Sequence, residues 1–154
     1  GGHGTELGQS IYLRECLGRE EGAPPPVDLV LEKSHGDFVR TLINDRAVTA
    51  VHDISDGGLG IAVIEMALPT TLGAKLEALD HISLFAENQA RYVLTATPAR
   101  AMAILSAGME QNIELHVIGE VTANATLKIG ASNAISVSDL RSAHEGWFPD
   151  FMKG

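Results

Sequence analysis

Along the chain, apolar residues fall into short groups whose spacing switches between helix and strand. Residues 9–17 (QSIYLRECL) place Ile11, Tyr12, Leu13, Cys16 and Leu17 at helical spacing, and Gly18 closes the segment. A stiff connector, 19–26, carries three consecutive prolines. Asp28 then caps a second helix that starts at Leu29, Val30 and Leu31 and continues its apolar face through Phe38, Val39, Leu42 and Ile43. His35-Gly36-Asp37 predicts either a kink or a break into two short helices. Val48, Ala50 and Val51 read as a strand, and the apolar run Leu59 to Leu68, stopped by Pro69, as a buried helix.

Beyond Pro69 the pattern gives either a strand or a short helix over 74–79, the strand being preferred, then a short helix within 80–88 and a strand over 91–97. A helix follows from Pro98 at its first position through Met109. Strands at 114–121 and 125–129, a hairpin partner at 133–137, and a last helix capped by Ser138 or Asp139 with Leu140, Ala143 and Trp147 on its stripe complete the series. This order predicts a single α+β (mixed α/β) domain, a mixed sheet with helices packed mainly on one face. No period repeats.

Composition narrows the function. The chain has 154 residues, 45% hydrophobic and 20% charged, with a formal net charge of −9. The acidity argues against a nucleic-acid partner but leaves room for a nucleotide held through a divalent cation or a local nest of N–H groups. Cys16, the single cysteine, forms no internal disulfide; it reads as a buried structural thiol in a reducing, cytoplasmic compartment. No apolar run reaches the roughly 20 residues that cross a bilayer. Residues 1–8 are glycine-rich and read as a loop, and the start Gly-Gly-His-Gly, without methionine, reads as the head of a piece cut from something longer.

The candidate chemistry sits between the central strand and helix, in Asp53-Ile54-Ser55-Asp56-Gly57-Gly58. A strand feeding a glycine-rich turn into a helix presents backbone N–H groups and carboxylates to a phosphate or a metal. Ser55 or Asp56 can cap the helix and the glycines can take positive φ, so a plain strand-to-helix turn is the competing reading. Two acids within four residues exceed what one cap needs. Asp53 is therefore expected to point into the opening and Asp56 to cap the helix. His52 is either a hydrogen-bonded residue at a strand end or a general base, and His116 a satisfied histidine within a strand. His3, His35, His81 and His144 show no metal-ligand spacing, so zinc is unsupported. Glu87-Asn88-Gln89 is a polar triplet between apolar segments.

VHDISDGGLGIAVIEMAL followed by LFAENQARYVLT resembles the C-terminal domain of the aminoimidazole ribonucleotide synthetase superfamily, whose members pair an ATP-binding domain with a C-terminal α/β domain. GTELGQSIYLRE and GREEGAPPPVDL narrow the resemblance to its phosphoribosylformylglycinamidine synthase branch, and it runs from about Gly4 to Trp147. Those synthetases hold two internal copies of the domain pair. In the substrate-binding copy an aspartate after the strand binds magnesium and a Ser-Glu-Ser-Gln stretch contacts formylglycinamide ribonucleotide.

Asp53 matches that aspartate, and Ala86-Glu87-Asn88-Gln89 stands where the second stretch would be, with alanine and asparagine replacing its serines. The acidic Ser-Asp-Gly-Gly turn departs from the more neutral turn of that copy. The resemblance therefore implies the C-terminal domain of the second copy. That copy's auxiliary, pseudo-symmetric site keeps a nucleotide more for structure than for turnover.

It further implies ATP and magnesium as cofactors, with Asp53, Ser55, Asp56, Gly57 and Gly58 on the nucleotide side and Asp53 on the metal. Glu87, Asn88 and Gln89 become the substrate-side equivalents, and no residue is catalytic. The implied partners are the ATP-binding domain and other copy of the same synthetase, a glutamine amidotransferase subunit and a small accessory subunit. The alternatives are a purely structural domain, or a relative such as selenophosphate synthetase or thiamine-monophosphate kinase. A domain of this kind is expected to be inactive alone and to expose an apolar face that the intact enzyme covers.

Overall fold

The computed structural model describes residues 4–153. Of the loop expected over residues 1–8, the first three residues, His3 among them, lie outside the described residues, and residues 4–8 are irregular. The chain divides into two compact units, residues 4–62 with 80–117, and residues 63–79 with 118–153.

In the first unit Ser10 caps α1 (Ile11–Leu17), accepting the Leu13 N–H on its Oγ, and Gly18 ends the helix at φ 63°. Only the first turn of α1 is well covered: Leu13 is buried, Ile11 and Tyr12 half-buried, and everything from Arg14 on is exposed. Cys16 is consequently exposed, against the expected buried thiol. The proline connector has no regular structure.

Asp28 caps α2 (Leu29–Asn44), with Oδ1 accepting the N–H of Val30 at 2.9 Å and of Leu31 at 3.0 Å. α2 runs unbroken through His35-Gly36-Asp37. The expected break is absent for identifiable reasons. His35 is buried against a backbone carbonyl, and Asp37 pairs with Lys33 and Arg40 one turn to either side. Ile43, expected on the apolar face, is exposed. Phe38 and Leu42, expected on that face, do form the core with Ile104 and Ile113, each such side chain contributing roughly 1.5–3 kcal/mol by leaving water.

β1 (Ala50–Asp53) pairs antiparallel with β3 (Tyr92–Thr95), Asp53 opposite Tyr92. α3 (Gly58–Ala67) leaves the glycine turn, with Leu59, Ala62 and Val63 buried. Asp80 caps α4 (His81–Phe85), and α5 (Pro98–Glu110) begins at its proline. Residues 114–118, expected as the start of a strand, are irregular, so His116 is an exposed loop residue with Nε2 2.7 Å from Glu114 Oε1.

The second unit holds a four-stranded mixed sheet in the order β4-β2-β5-β6. β2 (Gly73–Leu76) runs parallel to β5 (Thr126–Ile129) and antiparallel to β4 (Gly119–Thr122), while β6 (Ile135–Ser136) closes a hairpin on β5. Strand β4 starts five residues later than the pattern predicts. Gly119 explains part of this: a Cβ there would lie 2.2 Å from Lys75 O, so the closest pairing of β4 with β2 begins at a glycine. α6 (Val137–Lys153) follows β6 directly. Its cap is Ser136, whose Oγ accepts the Asp139 N–H at 3.0 Å, rather than Ser138 or Asp139. Arg141 donates to the carbonyls of Leu68 and Thr70 and ties α6 to the loop before β2. The architecture is mixed α+β, with both parallel and antiparallel strand pairs.

Candidate functional site

The strand–turn–helix expected to carry the chemistry forms as anticipated, but its hydrogen bonds run to different partners. β1 delivers Asp53 with its side chain 66% exposed, its carboxylate 3.8 Å from His52 Nδ1. The His52 ring is half-buried, with Nδ1 2.6 Å from the Asp53 carbonyl, so the ring is held at the strand end. Ile54 turns into the core and donates its N–H to Arg91 O at 2.9 Å. Ser55 and Asp56 are exposed. Gly57 and Gly58 take φ 77° and 71°, the left-handed region open to glycine at no steric cost. A Cβ on Gly58 would come within 2.7 Å of Leu84 O, so this turn packs directly on the end of α4.

Neither glycine N–H is free. Gly57 donates to Glu87 Oε1 at 2.8 Å, and Gly58 to the Ser55 carbonyl at 3.0 Å. Among the described residues the Asp56 and Ser55 side chains accept no hydrogen bond at the start of α3, so the capping role expected of them falls to Glu87. The same Glu87 oxygen also takes the Ile11 N–H at 2.9 Å. One carboxylate thus satisfies orphan donors at two helix starts and places its negative charge where the macrodipoles favour it.

Asn88 exchanges two hydrogen bonds with Thr5, its Oδ1 accepting the Thr5 N–H at 3.1 Å and its Nδ2 donating to Thr5 Oγ1 at 3.2 Å. Gln89 is exposed. Of the residues singled out in the sequence, Glu87 and Gly57 are brought into direct contact. Asp53, Ser55 and Asp56 share the solvent side of the turn, Asn88 braces the N-terminal segment, and Gln89 projects outward.

Three residues that support this arrangement were not singled out. Ala90 adopts φ 60°, uncommon for a residue with a Cβ. Its N–H goes to Glu32 Oε1 at 2.9 Å and its carbonyl lies 2.7 Å from His35 Nδ1. A carbonyl only accepts, so Nδ1 carries the proton. Arg91, only 6% exposed, donates from one terminal nitrogen to Ala86 O at 2.9 Å while its Nε finds no partner, and burial pushes the guanidinium pKa down. The Tyr92 phenol is pushed up, first by burial and then by the nearby charges of Glu32 and Asp53. The signal for these residues was faint: a charge beside the apolar strand YVLT.

For a metal, no group of three or more histidine, cysteine, aspartate or glutamate side chains gathers among the described residues. A lone exposed Asp53 fits magnesium as one ligand, because this ion is commonly held by one or two carboxylates with phosphate oxygens and waters completing its octahedron. Among the described residues no helix is long and apolar enough to cross a membrane.

Comparison with known proteins bears on this geometry. The chain is 50% identical over 157 aligned residues to the phosphoribosylformylglycinamidine synthase subunit PurL of Brucella ovis, and equally to that of Brucella canis. The match takes in 100% of this chain and 21% of each relative. The chain thus spans about a fifth of the length of these curated relatives. Among solved structures, Thermotoga maritima PurL complexed with FGAR superposes with a TM-score of 0.70 at 20% identity, over 80% of this chain and 23% of that one. Escherichia coli HypE, a hydrogenase maturation protein, superposes at 0.58 and 21% identity over 82% and 44%. At these identities the superpositions establish a shared fold. Residues 1–131 match the family described as AIR synthase related protein, C-terminal domain, and the chain belongs to that family.

Proposed function

We propose that this chain is the C-terminal domain of the second internal copy in a phosphoribosylformylglycinamidine synthase of purine biosynthesis, a single domain that builds the auxiliary, pseudo-symmetric site. The observation that carries the synthase reading is the 50% identity to PurL subunits over the whole chain; the second-copy assignment is supported by the acidic Ser55-Asp56-Gly57-Gly58 turn and by Ala86 and Asn88 in the Glu87 stretch. The complete enzyme would be an ATP-dependent carbon–nitrogen ligase. It would convert formylglycinamide ribonucleotide, ATP and glutamine-derived ammonia to the amidine, ADP and phosphate, in the cytoplasm.

Its partners would be the ATP-binding domain, the other copy, a glutamine amidotransferase subunit and a small accessory subunit. In support, a solved structure of this fold is that of PurLQS from Thermotoga maritima, and other PurL structures from that organism are complexes with ATP and with ADP.

In this reading Asp53 lends one oxygen to a magnesium ion on a nucleotide whose remaining contacts come from the ATP-binding domain. The exposed carboxylate at the strand end supports that role. Glu87 fixes the turn instead of touching substrate, since its Oε1 already serves two N–H donors. No side chain at the turn is placed as a nucleophile or base, so the isolated domain should neither hydrolyse ATP nor form the amidine. Steady turnover by the 154-residue chain above a protein-free control would overturn that.

The competing reading, a domain that only props its neighbours, is favoured by the same closed hydrogen bonds: both glycine N–H groups are used internally, leaving neither for a phosphate. A titration of the full-length protein with magnesium and ADP separates the two. Binding that weakens at least tenfold in Asp53→Asn supports the auxiliary site; equal binding in both proteins, or none in either, leaves the prop.

A further inference from the structure

We propose that Glu32 and His35 of α2 are positioning residues for the candidate site, acting through Ala90. The inference rests on the auxiliary-site reading only for its functional consequence; its structural part stands on the hydrogen bonds alone. Glu32 and His35 lie three apart, hence on one face of α2. They take both backbone polar groups of a single residue: Glu32 Oε1 accepts the Ala90 N–H at 2.9 Å, and His35 Nδ1 donates to the Ala90 carbonyl at 2.7 Å. His35 is 4% exposed and Glu32 half-buried, so the His35 half of the grip is buried and the Glu32 half partly so.

The gripped residue holds φ 60°, a conformation an alanine does not adopt unless its surroundings impose it. Three residues earlier, Glu87 carries the carboxylate that takes Gly57 N–H and Ile11 N–H. One residue later, the Arg91 carbonyl takes Ile54 N–H at the end of β1, and the Arg91 side chain spans back to Ala86 O. The loop from Ala86 to Arg91 is thus pinned on one side to the Asp53–Gly58 turn and on the other to α2. Ala86 is fully buried and leaves the loop no slack at its start. Without the α2 grip, Ala90 would relax toward negative φ. That rotation redirects the chain entering and leaving it, so Glu87 would be displaced from Gly57.

The test uses backbone amide resonances of the 154-residue chain in Glu32→Ala and His35→Ala, beside Glu32→Gln and His35→Asn. Glutamine keeps an acceptor at the same reach, and asparagine Nδ2 keeps a donor near the position of Nδ1. The alanine variants should shift the Gly57 and Ile11 amides as well as Ala90, with α5 amides unmoved, and the conservative variants should return them. Movement of Ala90 alone, with Gly57 and Ile11 in place, overturns the proposal. So does failure of both conservative variants to restore the shifts.

If Glu32→Ala does not fold, the His35 pair decides by the same criterion. In the full-length protein, magnesium–ADP affinity should fall several-fold in His35→Ala and recover in His35→Asn. Absence of binding in the parent as well would sink the auxiliary-site reading and leave positioning to the resonances.

Discussion

Glu87 takes the capping role that residue type alone suggests for Asp56. An acid just before a helical glycine pair is a natural cap, yet the carboxylate on the Gly57 N–H comes from thirty residues downstream. Removing it strands two part-buried donors, so Glu87→Ala should cost about 1–3 kcal/mol. Asp56→Ala, an exposed change with no bond at the helix start, should stay within about 0.5 kcal/mol. Thermal melts of the two variants check the order, and a larger loss in Asp56→Ala would return the cap to Asp56. Asp53→Asn should leave the melting temperature almost unchanged, since Asp53 is mostly exposed; a larger loss than in Asp56→Ala would make it structural.

Asp80 gives a pH dependence. The Ser83 N–H, donating to its Oδ1 at 2.7 Å, holds its carboxyl below the ordinary value of 3.8. A folded-state pKa below the unfolded one contributes stability that is complete above the unfolded value and is lost as pH falls through the folded one. Stability measured from pH 5 downward should therefore decline less steeply in Asp80→Asn, which keeps the cap and removes the titration.

Among the elements, capping decides where helices begin. α6 starts at Val137 because Ser136, itself the last residue of β6, takes the Asp139 N–H. Ser136→Ala should cost about 1 kcal/mol and fray the first turn, seen as faster amide exchange at 137–140 with β2 and β4 unaffected. Uniform loss of protection across the sheet instead would show that Ser136 serves the strand rather than the cap. α2 illustrates the opposite case, a helix that local propensity would interrupt at Gly36. It stays whole because His35 finds a buried partner and Asp37 pairs with Lys33 and Arg40 along the helix.

At the scale of the molecule, the last turns of α6 carry Trp147, Phe148, Phe151 and Met152, all largely exposed, with the Trp147 and Phe151 rings stacked at 5.4 Å. Exposed apolar clusters mark surfaces that associate. The isolated chain is expected to self-associate with rising concentration, and Phe151→Ser to reduce that association without lowering the melting temperature. A strict monomer by sedimentation at high concentration would count against it.

What the sequence determined by itself lies in short-range chemistry. Asp28 and Gly18, Pro98 at the head of α5 and the glycines after Asp56 specify helix ends and the turn, because a cap or a φ restriction acts within four residues. Apolar spacing likewise placed β1, β3, β5 and α3. The tertiary structure decided which acid serves the Gly57 N–H, that β4 begins at Gly119, that Cys16 faces water, and that α2 holds Ala90 in a left-handed turn. Each of these depends on a partner far along the chain. Burial and long-range hydrogen bonds choose among locally similar candidates, and residue spacing carries no record of that choice.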